Sequence, residues 1–513
     1  MAAVHSSNSM ADSTAYADCQ LYFGDIHNHC NLSYGVGGLD EALHNARLQL
    51  DFTSVTLHGH WDDMPQDDPR LGYLVDYHRQ GFERARAGWA GYLAATEAAN
   101  RPGEFVTFPS FEWHSMRYGD HCILFRDIAT REIFHVAHIE DLRQRLRQHP
   151  QPSLLIPHHI GYLQGFRGIN WAHYTTELSP VVEIMSFHGA SEDSDAEPAY
   201  LHAMGPRDQR STVQFGLAQG HIFGFVGSSD HHSAHPGSYG YGQVAVWAKA
   251  LTRAAIWEAL QNRRCYAITG DRIQLAFSLN DQPMGSVIPF APEVQIAVAV
   301  EGASTLDYIE VLYKNRVIHR ASPCLDGEIE GGIKLRLEMG WGELETLTDW
   351  DVDLRVNGGD LLGVEPHLRG HDIGIPVIDS VTPCVFSHLD YAGGDRVHLR
   401  TQTPRNATVR SAATQAITLT VQADANTAIQ ARINGQEIIL PISELREGAR
   451  SFYTSGFVSP SFVFHRAVPE NEYRHSFAIT HQSEGEERDW YYVRARQRNG
   501  QWAWASPIWV EGA

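Results

Sequence analysis

From Leu21 to Ile273, short apolar runs alternate with amphipathic stretches. The runs LYFGDIH, DFTSVTLH, EFVTFPSFEW, SLLIPHH, PVVEIMSF and HIFGFVGSSD have the length and composition of strands. Between them lie LDEALHNARLQL, YHRQGFERARAGWAGYLAATEAA and IEDLRQRLRQH, which read as helices. In the first of these, apolar positions 39, 43, 46 and 50 follow helical spacing. Strands alternating with helices predict an α/β fold with a parallel sheet of crossover units. Six such runs in about 250 residues favour a closed or nearly closed barrel, with an open sheet as the alternative.

The second half has a different rhythm. EVQIAVAVEG, YIEVLYKNRVIH, IKLRLEMGW, QAITLTVQA and DWYYVRARQRNGQWAWASPIWV read as strands and hairpins, and Asn499-Gly500 marks a hairpin turn. The expected organisation is a flexible tail over 1–20, an α/β unit over 21–275 and a mostly-β, sandwich-like domain over 276–513. The stretch 345–410 is less regular and reads as long loops. A length of 513 residues accommodates two or three domains.

The strand-like runs of the first half end on one class of residue. They finish as Asp25-Ile26-His27-Asn28-His29, His58-Gly59-His60, Glu112-Trp113-His114, His158-His159, Glu183 with His188, and Asp230-His231-His232. Alternation along a strand puts Asp25, His27 and His29 on one face, and likewise His58 and His60. In α/β barrels the site lies at the carboxyl ends of the strands, so these dispersed residues converge on one mouth. His159 and His231 alternate away from it.

Composition narrows the chemistry. Of 29 histidines, 21 precede residue 250, which places the chemistry in the first half. The six cysteines are far apart and form no CxxC pair, which argues against a disulfide scaffold or a thiolate zinc site and for reduced thiols in a cytoplasm. Imidazole and carboxylate donors suit manganese, zinc and iron. Two close cations need an anion between them, and Glu112 is the carboxylate for that place. The charge of −21 argues against a nucleic-acid partner. No run of about 18 apolar residues calls for a membrane. The polar N-terminus lacks the apolar core of a secretory signal.

Together these residues resemble the PHP (polymerase and histidinol phosphatase) domain of metal-dependent hydrolases. The matching positions are the HxH of His27 and His29, His58 after the second strand, Glu112, His158 in IPHH, and the closing Asp230-His231-His232. The stretches FEWHS, GDHCILFRD, VEIMSFHGASE, GFVGSSDHH and RCYAITGDRI are similar to a bacterial branch of that family whose function is undefined, as are the C-terminal WYYVRARQ and AWASPIWV. The resemblance implies a distorted barrel of about seven β/α units holding two or three divalent ions (Mn, Zn or Fe). On this resemblance His27, His29, Glu112 and Asp230 hold one ion. Glu112 bridges to a second, held also by His121 and His158, and His58 and His232 belong to a third. Ser33, Asp40 and Glu41 are the nearby candidates for a further ligand there. Leu57 replaces the family's acid before His58, and His60 compensates.

The expected function is a metal-dependent hydrolase, foremost a phosphoesterase in which a bridging hydroxide attacks a phosphate ester in line. Asp230, Glu112 and His188 are its catalytic candidates. Arg167, Glu183 and His60 are candidates to contact a small anionic substrate. Hydrolysis of a carboxylic ester, lactone or amide is the alternative, and a non-catalytic metal-binding interaction protein is the third reading. The Gly-rich YGVGG at 34–38 opens a helix and reads as a phosphate cradle or a plain turn.

Overall fold

The computed structural model describes residues 14–128, 132–323, 331–342, 347–371, 385–403, 413–456, 458–484 and 488–511. The expected helices are present as Leu39–Gln49, Gly72–Ala99 and Ile139–Gln148. The first turns of the first and last of these carry Asp40 with Glu41 and Glu140 with Asp141, and their last turns carry arginines, as the helix dipole favours.

The strands of the first half are Gln20–Asn28, Phe52–Trp61, Ser110–His114, His121–Phe125, Ser153–Pro157, Val181–Ser186 and Gly224–Gly227. The first three pair in parallel, as do Val181–Ser186 and Gly224–Gly227. The expectation of a wholly parallel sheet is corrected at His121–Phe125, which is antiparallel to both neighbours. Only residues 115–120 join it to Ser110–His114. That is too short for a crossover helix, so the chain turns back on itself.

The last strands of the chain join this sheet. Trp502–Ala505 pairs antiparallel with Cys265–Ile268, and its own hairpin partner is Arg488–Gln497, across the Asn499-Gly500 turn. A second layer, Gln274–Leu279, Glu293–Glu301 and Arg474–Gln482, packs on it through Leu275, Phe277, Val298, Val311 and Val493. Between these segments, residues 331–464 supply a β-sandwich. Gly331–Trp341 and Gln415–Ala423 lie in one sheet, and Thr348–Asn357 and Ala428–Ile433 in the other. Leu335, Leu337, Trp350, Leu354 and Ile417 fill its core.

Residues 14–20 do not belong to a tail. Tyr16 is fully buried against Trp247, and its hydroxyl donates to the Phe277 carbonyl at 2.6 Å. The remainder of the expected tail, 1–13, lies outside the described residues, as does part of the stretch 345–410. Among the described residues, no helix is long and apolar enough to cross a membrane.

A buried polar network ties the sandwich to the first half. Arg336 Nη1 donates to the Tyr239 hydroxyl at 2.7 Å, and that hydroxyl donates to Asp271 Oδ1 at 2.7 Å. Gln497 and Asn499 donate to Asp271 Oδ2 at 2.6 and 2.7 Å. Glu365 Oε1 accepts from the Arg272 amide at 2.6 Å. Burial, and then the Asp271 charge, push Glu365 up from its ordinary 4.5 to about 7. The folded protein therefore binds this proton more tightly than the unfolded chain does. Its stabilising contribution is complete below 4.5 and is lost as pH rises through about 7. Glu365→Gln, which keeps the acceptor without the charge, is expected to be roughly 1–3 kcal/mol more stable than wild type at pH 8 and nearly equal at pH 5. Urea unfolding at the two pH values measures this. An equal difference at both would remove Glu365 as the source.

Candidate metal centre

The first strand delivers His27 and His29 to the carboxyl end of the sheet, and both are buried. Their tautomers follow from what stands behind them. The Thr56 carbonyl, 2.8 Å from His29 Nδ1, can only accept, so that nitrogen carries the hydrogen. Glu183 Oε2 stands 3.0 Å from His27 Nδ1 and fixes that ring in the same way. Each ring then turns its Nε2 inward, and the two Nε2 atoms are 3.2 Å apart. Asp230 Oδ1 lies 2.9 Å from His29 Nε2 and 3.3 Å from His27 Nε2. Three ligand-type atoms thus face one point, an arrangement that could hold a metal ion.

Glu112 divides its two oxygens. Oε2 faces His58 at 3.4 Å, His29 at 3.6 Å and His27 at 3.9 Å, and has no hydrogen-bond partner. Oε1 faces His158 Nε2 at 2.8 Å and His114 Nδ1 at 3.1 Å. The His158 contact lacks hydrogen-bond geometry, and both ring nitrogens are unpartnered although buried. An unpaired buried polar group costs about 1–3 kcal/mol, so donors collected in this way fit metal ligands. Ligand atoms of His29, His58 and His232 form a further group within 4.8 Å. The His232 Nδ1 donates to the Asp230 carbonyl at 2.8 Å, which leaves Nε2 bare.

Electrostatics agree with a cation site. Burial favours neutral acids at Glu112 and Asp230. At Glu112 the rings of His114, His158 and His58 outweigh it, and at Asp230 those of His27, His188 and His29, so both carboxyls stay well below their ordinary range. Burial also opposes charge on His27, but Cys122, Asp230 and Glu183 overcome it and raise its proton affinity. Burial holds His58 and His158 well below the ordinary imidazole value, and pushes His188 and His232 down to about 3.

Loop geometry carries Asp230. Asp25 does not share a face with His27 and His29, because the register shifts between Asp25 and Asn28. Its carboxylate turns to the loop instead, accepting from the amides of Ser229 at 3.1 Å and Gly237 at 2.7 Å and from the Ser229 hydroxyl. That clamp presents Asp230, whose φ of +50° is one that Asp tolerates. His188 Nε2 donates to Asp230 Oδ2 at 3.1 Å, and the Tyr162 hydroxyl donates to His188 Nδ1 at 2.6 Å.

Several expected residues stand elsewhere. His121 lies across the ladder from Trp113, while its neighbour Cys122 lies across from Glu112. His121 therefore faces the outer layer, with Nδ1 donating to the Gly119 carbonyl at 2.9 Å. Cys122 joins His27 and His158 within 4.8 Å. His60 is turned away by a bulge at Gly59, which pairs His58 with Glu112 but His60 with Trp113. A Cβ on Gly59 would lie 2.7 Å from Phe111 and Ile133 side-chain atoms, so the bulge needs glycine there. Glu183 stands behind His27 rather than toward a substrate, and its Oε1 accepts the His159 amide at 3.2 Å.

Arg167 reaches the site but its fork is engaged. Nε donates to Asp120 Oδ2 at 2.8 Å, Nη2 pairs with the same oxygen, and Nη1 lies 3.0 Å from Met204 Sδ. Ser33 Oγ is 2.8 Å from His58 Nδ1, whereas Glu41 caps the Gly38 amide at 2.6 Å and Asp40 is exposed. With its first amide capped, the YGVGG segment is a turn.

Sequence reasoning misses Asp120 and Cys122, gives His114 no ligand role and turns His159 away from the site. His159 does not alternate away. The strand ends at Pro157, and a φ of +33° brings Nε2 to 3.3 Å from Asp120. Ligand atoms of Glu112, Asp120, His158 and His159 all lie within 4.8 Å of one another. Glu112-Trp113-His114 was a legible signal for His114, since residues i and i+2 share a face.

Comparison with known proteins gives partial matches. Residues 238–281 match a family model described as a protein of unknown function (DUF3604). An uncharacterized protein of Chlamydia pneumoniae is 30% identical over 172 residues, covering 30% of this chain and 28% of that protein. An uncharacterized protein of Chlamydia trachomatis is 30% identical over 173 residues with the same coverage. The match thus spans little more than a quarter of these relatives' length. A solved two-domain protein from Bacteroides vulgatus, described as containing a predicted PHP-like metal-dependent phosphoesterase, aligns over 90% of this chain and 96% of its own. Its sequence identity is 12% and the TM-score 0.33.

Proposed function

We propose that the protein is a metal-dependent hydrolase of phosphate esters with a di- or trinuclear centre. The observation that carries this reading is the convergence of His27 Nε2, His29 Nε2 and Asp230 Oδ1 within 3.3 Å of one another, at a place where the surrounding carboxylates favour positive charge. Glu112, with an oxygen toward each of two donor sets, would serve both if ions were bound. His29, His58 and His232 are the donors for a third, with Cys122 in the place expected of His121. Divalent cations held there would polarise a phosphoryl group and lower the pKa of water near it.

The chain's own residues prepare that chemistry. Glu183 and the Thr56 carbonyl fix the tautomers of His27 and His29, and His188 with Tyr162 holds the Asp230 carboxylate in one rotamer. The strands from Gln20–Asn28 round to Gly224–Gly227 form a distorted barrel in this reading, with its mouth at the cluster. The unit over 21–275 then carries the reaction on a small anionic substrate, and the β-rich remainder shapes the approach.

A second reading, hydrolysis of a carboxylic ester, lactone or amide, is favoured by one observation. Arg167, the expected anion anchor, is already paired with Asp120. Metal content per chain, on protein purified without added metal or chelator, is measured together with turnover of nitrophenyl phosphates and nitrophenyl carboxylic esters. Two or three equivalents with phosphatase or phosphodiesterase activity are expected. Esterase activity alone transfers the proposal to the second reading. No metal, with none taken up on titration, overturns both.

A further inference from the structure

The loop that follows Val181–Ser186 returns to the site through residues 200–207, and it is fastened on both sides of its exposed tip. On one side Tyr200 is buried, with its hydroxyl 2.6 Å from Ser191 Oγ and accepting the Gly161 amide at 3.2 Å. On the other, Arg207 donates to the Ser194 and Ala196 carbonyls at 3.1 and 2.8 Å. Between these anchors the Gly205 amide donates to the His202 carbonyl at 3.1 Å and closes a turn. The turn carries His202, which is exposed to solvent.

His202 stands on the outer side of the residues that hold Asp230. Its ring centroid is 5.0 Å from that of His188, whose Nε2 donates to Asp230 Oδ2, and 6.1 Å from that of Phe187. Met204, two residues on, has its Sδ 3.0 Å from Arg167 Nη1, so the same turn also reaches the Asp120 side of the site. The Met204 amide donates to His202 Nδ1 at 3.2 Å. A ring nitrogen that accepts carries no hydrogen, so the hydrogen of this imidazole is on Nε2. That is the reverse of His29, whose Nδ1 carries the hydrogen. Nε2 of His202 has no hydrogen-bond partner among the described residues. The loop thus presents an unused N–H donor at the mouth.

Resting on the phosphate-ester reading, we propose that His202 is a further catalytic residue, whose Nε2–H donates a hydrogen bond to the leaving oxygen of the ester. In-line displacement sets the entering and leaving oxygens on opposite sides of phosphorus. The donor cluster is buried and lies on the entering side, so the leaving oxygen faces outward, to the side where His202 stands. The bond from phosphorus to that oxygen breaks with its electron pair going to the alkoxide, while the oxygen of water forms the new bond. The proton that water sheds is matched by one the alkoxide gains from solvent at the mouth, and His202 keeps its own. A fixed donor aimed at developing negative charge accelerates the step most when the leaving oxygen is strongly basic.

The test compares kcat/KM for phenyl phosphate, with a basic leaving oxygen, and 2,4-dinitrophenyl phosphate, with a weakly basic one, in the full-length wild type, His202→Leu and His202→Gln. His202→Leu is expected to lose about 10²-fold on phenyl phosphate and less than threefold on the dinitrophenyl ester. His202→Gln, which keeps an N–H donor, recovers part of that loss. Metal content and melting temperature stay at wild-type values in both, as suits an exposed side chain. Equal losses on the two esters, no loss on either, or a His202→Gln no better than His202→Leu overturn the assignment while the phosphoesterase reading stands on the wild-type turnover. A wild type that hydrolyses neither ester overturns that reading, and this proposal with it.

Discussion

Asp230→Asn is expected to lower kcat/KM by roughly 10³-fold or more, about 4 kcal/mol of transition-state stabilisation, and to remove at least one metal equivalent while the fold stays intact. The backbone argument comes first. Position 230 has a φ of +50°, which Asn adopts as readily as Asp, and its amide donates to the His27 carbonyl at 2.7 Å in either case. The charge argument follows. The carboxylate is the anionic member of the set with His27 and His29, and an amide offers one weaker oxygen in its place. The new NH₂ group also donates to the bare His29 Nε2 that stood 2.9 Å from Oδ1. The variant thus keeps the pocket hydrogen-bonded but loses the attraction of the carboxylate for His27, His188 and His29, and its metal-free form should melt somewhat below the metal-free wild type while remaining folded. Metal analysis, calorimetry and steady-state kinetics on one preparation check all three parts. A fully loaded and fully active Asp230→Asn would sink the assignment of this centre.

What the sequence disclosed about this centre was set by local rules. Strand alternation placed His27 with His29, and strand ends placed His58, Glu112, His158 and Asp230, because these depend only on neighbours two residues away. The misplacements all come from events that alternation does not record. A bulge at Gly59 turned His60 outward, and a register shift beyond Asp25 turned that carboxylate to the Ser229 loop. The short 115–120 connection reversed the next strand, so that Cys122 rather than His121 faces Glu112. A single φ of +33° returned His159 to the site. The pairing of Cys265–Ile268 with Trp502–Ala505 was beyond such rules, since no periodicity reports which of many β-runs will meet across more than two hundred residues.

Arg167→Met should destabilise the protein by about 3–5 kcal/mol at pH 7, the cost of leaving a buried charge without its partner. Asp120 is fully buried and takes Arg167 Nε at 2.8 Å, His114 Nδ1 at 2.9 Å and the Ser115 amide at 2.9 Å. Burial favours its neutral form, but Arg167 and His114 hold the carboxyl well below its ordinary 3.8. Its stabilising contribution is therefore complete above 3.8 and disappears as pH falls through the depressed folded value, so the gap between wild type and Arg167→Met should narrow toward acid. Asp120→Asn/Arg167→Met removes both charges and should recover most of the loss, which a double-mutant cycle in urea will quantify. The same proteins decide what Arg167 does in catalysis. If its work is to neutralise Asp120 beside Glu112, Arg167→Met lowers kcat through the distorted carboxylates and leaves KM for a phosphate ester nearly unchanged. A variant of wild-type stability with a KM raised tenfold or more would instead make Arg167 the anion anchor, and would return the choice of substrate firmly to phosphate.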